Sequence, residues 1–235
     1  MDKSEASHAI LDQESRERKA NKIYAVLEKS ISDFEECKIL DIGTGAGYIA
    51  HYLGERNNQV TSIDVVDERR EKSNYKFKTV KDEKLPFKDS FFDIVISNHV
   101  VEHVPDQEAH INEIHRVLKK GGIMYLATPN KYWLTDPHYR LPFLPWLPRR
   151  ASQMYLKLVK GKDWDVFPIS IPSLNNIFRN RFVNNYVTVD MIKNPKTYHL
   201  DTFSTIQPIV RRIPRSVLRS INILTPTIIL VSKKK

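Results

Sequence analysis

Three of the seven glycines in this 235-residue chain, Gly43, Gly45 and Gly47, fall together in the run KILDIGTGAGYIA. Glycine lets the backbone turn tightly and approach a ligand, and directly before a helix the free N–H groups face outward. Asp64 follows Gly43 by 21 residues and ends the next apolar run, where a carboxylate can accept both hydroxyls of a ribose. The glycines alone also suit an ordinary surface turn; with Asp64 they point to a nucleoside-bearing ligand. A nicotinamide-binding G-x-G-x-x-G would place its third glycine at position 48, which is Tyr48 here. Two histidine groups could move protons or hold a metal: His99-Val100-Val101-Glu102-His103, and Asp136-Pro137-His138. The first matches H-x-x-E-H, a zinc-peptidase pattern, but it follows an apolar strand and is not inside a long periodic helix.

The elements that must carry these groups alternate. Ala20, Ile23, Tyr24, Leu27 and Ile31 recur at helical spacing over 16–31. Strands are predicted at Lys38–Ile42, Gln59–Ile63, Phe77–Val80 and Phe92–Ser97, with a helix starting over Tyr48–Leu53. Asp106 can cap a helix whose inner face is Ile111, Ile114, Val117 and Leu118, after which Gly121-Gly122 should turn the chain into a strand at Ile123–Ala127. Alternating strands and helices argue for a parallel sheet covered on both faces. Beyond Asn130, Pro137, Pro142, Pro145 and Pro148 exclude a long helix or interior strand. Helices at Ala151–Lys160 and Ser173–Asn180, a strand at Tyr186–Met191, a basic helical stretch at 206–224 and a strand at Thr227–Ser232 complete the expectation.

Composition sets outer limits. With 41% apolar residues the chain can bury a real core, which excludes whole-chain disorder. Cys37 is the only cysteine, so neither an internal disulfide nor a cysteine metal cage can form. No run approaches the roughly 18 apolar residues of a membrane span, and the polar start MDKSEASHAI does not read as a signal peptide, so a cytoplasmic protein is expected. The formal charge of +9 divides unevenly: residues 1–130 hold 19 basic and 23 acidic residues, residues 131–235 hold 18 and 5. The second part therefore suits an anionic acceptor or an anionic membrane surface. Ile209, Ile213, Val217 and Leu218, interleaved with Arg211, Arg212, Arg215 and Arg219, suggest a basic amphipathic helix, interrupted by Pro214, for that contact, or a solvated helix packed on the sheet. Nucleic acid is not the expected partner, because no RNA-binding module accompanies the charge.

The stretch KDEKLPFKDSFFDIVISNHVVEHVPDQEAHINEIHRVLKKGGIMYLATPN closely resembles class I S-adenosylmethionine-dependent methyltransferases, in its LPF-x-D, F-D-x-V, E-H-V-x-D, R-V-L-x-x-G-G and T-P-N blocks. With the glycine motif the resemblance covers residues 36–130. It implies a Rossmann-like, doubly wound α/β sheet of seven strands, mostly parallel with the last antiparallel, and S-adenosyl-L-methionine as cofactor. The cofactor set it implies is Asp41, Gly43, Thr44, Gly45, Ala46, Gly47, Asp64 and Val65, with Ser97 and Asn98 near the reactive sulfonium. The family's adenine-binding acid aligns with Lys81, which leaves Asp82 and Glu83 as adenine-side candidates. The link from Val65 to Tyr75 is short for a crossover, so a reduced helix and an open adenine side are expected.

Some ubiquinone-pathway O-methyltransferases resemble the His99 region with E-x-x-E-H and bind a divalent ion there; His99 replaces the first Glu, which weakens the case for magnesium and leaves a softer metal, or none, as the expectation. The bland alternative is that Glu102 and His103 only order the loop. Residues 131–185 should form a lid inserted in a single methyltransferase domain, followed at 186–235 by C-terminal strands and the basic helix. KYWLTDPHYRLPFLPWLPRR resembles a segment of methyltransferases from cell-surface polysaccharide clusters, with Tyr132, Trp133, Tyr139 and Trp146 able to stack on sugars or to form lid core. That resemblance implies O-methylation of a saccharide or lipid-linked glycan. A quinone-precursor O-methyltransferase, an RNA or protein methyltransferase and a non-catalytic cofactor-binding protein are the rivals. A hydroxyl nucleophile benefits from a general base; His138, oriented by Asp136, is the first candidate, followed by His99 and His103.

Overall fold

The computed structural model of the chain describes residues 13–81, 84–200, 207–221 and 225–235. Seven strands, β1 (Ile39–Ile42), β2 (Val60–Asp64), β3 (Lys76–Thr79), β4 (Phe92–Asn98), β5 (Leu118–Pro129), β6 (Phe182–Tyr186) and β7 (Thr227–Lys234), lie in the order β3-β2-β1-β4-β5-β7-β6. The first five pair in parallel, and β7 runs antiparallel to both β5 and β6. This is the α/β sheet that the sequence predicts. Its central strands are mostly apolar because both faces are covered, although they also carry the buried Asp41, Ser62 and Ser97. Ile39, Ile94, Ile123 and Tyr125 face one core with helices α1 (Gln13–Glu28) and α2 (Tyr48–Gly54), while Leu40, Val95 and Met124 face the other with α3 (Gln107–Val117). Burying one such side chain fully contributes roughly 1.5–3 kcal/mol.

At α3 the local signal acts where sequence reasoning places it: the Asp106 carboxylate accepts the Ala109 N–H at 2.9 Å and caps the helix, whose His110, Ile111, Ile114 and Val117 are buried, while Leu118, expected on its inner face, already lies in β5. Three expectations are corrected. No helix forms between β2 and β3: residues 67–72 are all charged and have no apolar face, and their backbone instead bonds the glycine loop, Arg70 and Glu71 N–H donating to Ala46 O at 3.0 and 3.1 Å. Gly121-Gly122 does not turn the chain; Gly121, at φ +76°, sits in an irregularity within β5, so Leu118 begins the strand and pairs with Phe92. Tyr186–Met191 is not a strand: β6 ends at Tyr186, and Thr188–Lys193, the mixed segment TVDMIK, forms helix α6, too short for periodicity to decide. The basic stretch is two short helices, α7 (Gln207–Arg212) and α8 (Arg215–Ile221), with the interruption at Pro214 that the sequence predicts. Ile206 and residues 222–224 lie outside the described residues.

The inserted segment leaves the sheet after Asn130 and rejoins it at Ile169, where the two residues form a parallel bridge and the Lys131 N–H donates to Ile169 O at 3.0 Å. Between them stand helix α4 (Arg149–Lys160) and a small core of Leu141, Leu144, Leu156, Trp164 and Val166. The separate part is therefore 131–168 and shorter than the expected 131–185. Ile169, Leu174, Phe178 and Phe182 already belong to the core under the sheet, with helix α5 (Ile171–Phe178).

Candidate functional site

The glycine loop joins β1 to α2 at the carboxyl ends of the strands, the edge at which open α/β sheets receive ligands. Gly43, Gly45 and Gly47 all have positive φ, at +77°, +51° and +88°. At Gly47 a Cβ would stand 2.2 Å from Glu71 O, so glycine is required twice there, by conformation and by the close pass of the 65–75 segment. Gly45 donates its N–H to Asp64 Oδ2 at 2.8 Å, and Val65 donates to Asp64 Oδ1 at 2.7 Å. The acid is thus fixed at the tip of β2 with a lone pair still free on each oxygen.

Under this loop runs a buried hydroxyl chain: Thr44 Oγ1 bonds Ser62 Oγ, which donates to Asp41 Oδ2 at 2.9 Å. Burial pushes the Asp41 carboxyl up to about 7, with the charge of Asp64 adding to the shift and the Ser62 bond opposing it. Asp41 is itself buried, and through Ser62 and Thr44 it supports the loop from beneath. Ser97 is buried in the same way. Its side chain is fully buried and bonds His110 Nε2 at 3.1 Å, while Asn98 lines the cavity. Burial lowers His110 to about 4, which leaves it neutral. Val65 is exposed beside Asp64, Ala46 is buried in the loop, and Asp82 and Glu83 lie outside the described residues.

A cavity of about 620 Å³ opens over Gly43, Thr44, Gly45 and Tyr48. His99 and His103 line its floor, and the inserted segment supplies Pro137, His138, Tyr139 and Arg140 opposite them. All three candidate histidines meet here. His99 holds a positive φ of +60°, a strained conformation for a residue with a Cβ, and its Nδ1 donates to Glu102 Oε1 at 3.0 Å. Thr128 Oγ1 donates to the other oxygen of this fully buried carboxylate at 2.9 Å. Burial opposes ionisation of Glu102, but His99, its own backbone N–H and Thr128 outweigh it and hold the carboxyl below its usual range.

Asp136 is buried, and its Oδ1 accepts the N–H groups of His138 and Tyr139 at 2.9 and 2.7 Å. That turn leaves Oδ2 facing His138 Nδ1 at 3.8 Å, an ion-pair distance longer than a hydrogen bond, and Nδ1 is buried with no hydrogen-bond partner. Burial disfavours the imidazolium, yet Asp136, then Glu102 and Asp165, outweigh it and raise the His138 pKa.

Glu102, His103 and His138 each offer a ligand atom, all within 4.8 Å of one another. Two imidazoles and a carboxylate already bonded on both oxygens do not suit magnesium, which prefers oxygen donors. Nitrogen-rich donors of this kind match a softer ion such as zinc, and the same histidines can hold and move protons.

Sequence reasoning missed the cations that face the cavity, Arg16 and Lys19 from α1 and Arg140 and Lys162 from the insertion. Arg16 Nε is buried without a hydrogen-bond partner, and burial together with Arg16 lowers the Lys19 pKa. Spacing of three residues on an amphipathic helix was the available signal for Arg16 and Lys19.

Residues 40–126 match the methyltransferase domain family. Together with the sheet order and the glycine loop, this makes residues 40–126 a class I S-adenosylmethionine-dependent methyltransferase domain. The ubiquinone biosynthesis O-methyltransferase of Bartonella tribocorum is 31% identical over 149 residues, 57% of this chain and 59% of that protein. The mitochondrial ubiquinone biosynthesis O-methyltransferase of Homo sapiens is 30% identical over 172 residues, 67% of this chain and 44% of that protein. The chain thus spans about half the length of these curated relatives. Among solved structures, an S-adenosylmethionine-dependent methyltransferase from Mesorhizobium loti superposes with a TM-score of 0.56 at 16% identity, covering 91% of this chain and 98% of that one. The YcgJ protein of Bacillus subtilis gives 0.55 at 19% identity, over 89% and 96%. These likenesses show the fold.

Proposed function

We propose that the protein transfers the methyl group of S-adenosylmethionine to a hydroxyl oxygen of an anionic small-molecule acceptor. The observation that carries this reading is the opposition, across one cavity, of the glycine loop and the Asp136–His138 pair. Methyl transfer is an in-line displacement at a sulfonium, so the leaving thioether needs no proton; the acceptor must be aligned and deprotonated. His138 takes that proton, and Asp136 stabilises the imidazolium that results. Arg16, Lys19, Arg140 and Lys162 give the cavity a positive lining that suits a carboxylate or phosphate on the acceptor.

Two acceptor classes share this chemistry. The saccharide reading loses part of its support, since Tyr132, Trp133 and Trp146 are exposed on the outside of the insertion and only Tyr139 of the four candidate aromatics lines the cavity. A hydroxylated aromatic acid of the kind used in quinone biosynthesis gains support from the names of the relatives. The test is methyl transfer from labelled S-adenosylmethionine to a dihydroxybenzoate bearing an apolar side chain, against a uronic-acid glycan. Labelling of the phenol with KM raised at least tenfold by Arg140→Ala is expected. Labelling of the glycan alone would transfer the assignment to the saccharide class.

A further inference from the structure

Of the fourteen large apolar residues exposed among the described positions, nine lie in 132–159, a segment of the insertion outside the cavity. An antiparallel bridge between Thr135 and Pro142 closes a loop whose tip carries His138, Tyr139 and Arg140 into the cavity. The stem turns the opposite character outward. Phe143 N–H donates to Leu134 O at 2.7 Å, the Trp146 indole N–H donates to Trp133 O at 3.0 Å, and the Phe143 and Trp146 rings pack edge to face at 5.3 Å. These four side chains form one exposed apolar cluster, with Trp146 half exposed at 50%.

The chain continues into α4, whose inner face is Ser152 and Leu156 and whose outer face carries Met154 and Leu158, one turn apart and exposed at 63% and 79%. Arg150 and Lys157, also exposed, flank them on that face. Residues 131–168 hold seven Lys and Arg against three acids, the buried Asp136 together with Asp163 and Asp165, and Asp163 pairs with Lys157 at 3.5 Å. Exposed apolar clusters of this kind mark interaction surfaces, and protein interfaces deplete charge at their apolar core. Here tryptophans, long aliphatics and cations share one surface, the composition that inserts at the boundary between headgroups and acyl chains of an anionic bilayer. The C-terminal basic stretch does not offer this. Val210 and Leu218 are buried against Val189, and Arg215 pairs with Asp190 at 3.3 Å.

We propose that the outer surface of the 131–168 insertion docks on an anionic lipid bilayer, with the cluster of Trp133, Leu134, Phe143 and Trp146 and the Met154–Leu158 face of α4 as its contacts. The full chain should co-sediment with vesicles of phosphatidylcholine and phosphatidylglycerol but not with phosphatidylcholine alone, with a blue shift of tryptophan emission. Met154→Asp/Leu158→Asp should lower that partition at least tenfold while melting as the parent does. Arg150→Glu/Lys157→Glu, which leaves the apolar face intact, should lower it as well and remove its salt dependence. Absence of binding, or binding unchanged in the Asp variant, overturns the proposal. So does self-association of the parent in light scattering that the Asp variant abolishes, since a second copy would then cover the face.

Discussion

Nδ1 of His138 stands 3.8 Å from Oδ2 of Asp136, while the other oxygen of the same carboxylate is committed to the backbone N–H groups of His138 and Tyr139. One carboxylate therefore shapes the turn and faces the imidazole at once. His138→Ala is expected to lower turnover about 10²–10⁴-fold, with S-adenosylmethionine affinity by calorimetry unchanged. Undiminished turnover would remove His138 as the base.

The base acts as the neutral imidazole, and Asp136 raises its pKa. Activity should therefore rise with pH through a midpoint above the usual histidine value. Asp136→Asn, which removes the raising charge, should move that midpoint down. A midpoint that stays in place would show that the titrating group is not His138.

Gly47 and Gly45 share a positive φ but not their surroundings. Gly47→Ala meets Glu71 O and the Tyr75 hydroxyl as well as the backbone strain, whereas Gly45→Ala meets nothing within 4 Å. The first should cost at least about 1–3 kcal/mol in chemical denaturation, the second less. Equal losses would mean that the 65–75 segment does not lie against the loop. Asp64→Ala should weaken S-adenosylmethionine by roughly 10–100-fold, the worth of hydrogen bonds to one charged group. Ser97→Ala should leave that affinity within a factor of about two.

Asp41 makes stability depend on pH. Its folded-state pKa of about 7 lies above the ordinary 3.8. The fold favours the protonated form, so this contribution is complete below about pH 4 and is lost as pH rises through about 7. Asp41→Asn keeps an acceptor for Ser62 and has no such titration. The melting temperature of the parent should fall relative to the variant between pH 5 and pH 8, and a constant difference across that range would refute the assignment.

Chelation tests the donor chemistry of Glu102, His103 and His138. Treatment with EDTA followed by assay in metal-free buffer should leave turnover within twofold of the untreated protein. Loss of activity restored by zinc or manganese would reassign the three side chains as ligands.

The cofactor half was legible because its signals are local. A glycine before a helix, an acid after a strand and a capped amphipathic helix each state their structure within a few residues, as at Gly47, Asp64 and Asp106. The side-chain partners of Ser97 and Asp41 were not legible because strand position says which end of the sheet a residue occupies but not which partner its side chain finds; His110 and Ser62 come from elsewhere in the chain. Thr188–Lys193 was misread because a six-residue segment of mixed character, TVDMIK, is too short to separate helix from strand. The three-residue spacing of Arg16 and Lys19 puts both on one face of α1, but that this face meets the cavity depends on how α1 lies on the sheet, which spacing does not record.

Asn130 and Ile169 sit side by side, so both ends of 131–168 join the sheet at adjacent points, and next to that junction Phe167 donates its N–H to Glu102 O and accepts from the Gln107 side chain. Anchors this close do not fix the length of chain between them, since lengthening a loop whose ends are held costs little extra entropy. The segment also brings its own apolar nucleus, Leu144 and Leu156 among it. It can therefore be transplanted. Grafting a foreign insertion between these two residues should change which acceptor is recognised while the nucleotide end of the protein keeps its grip, making this junction the natural cut for re-engineering selectivity.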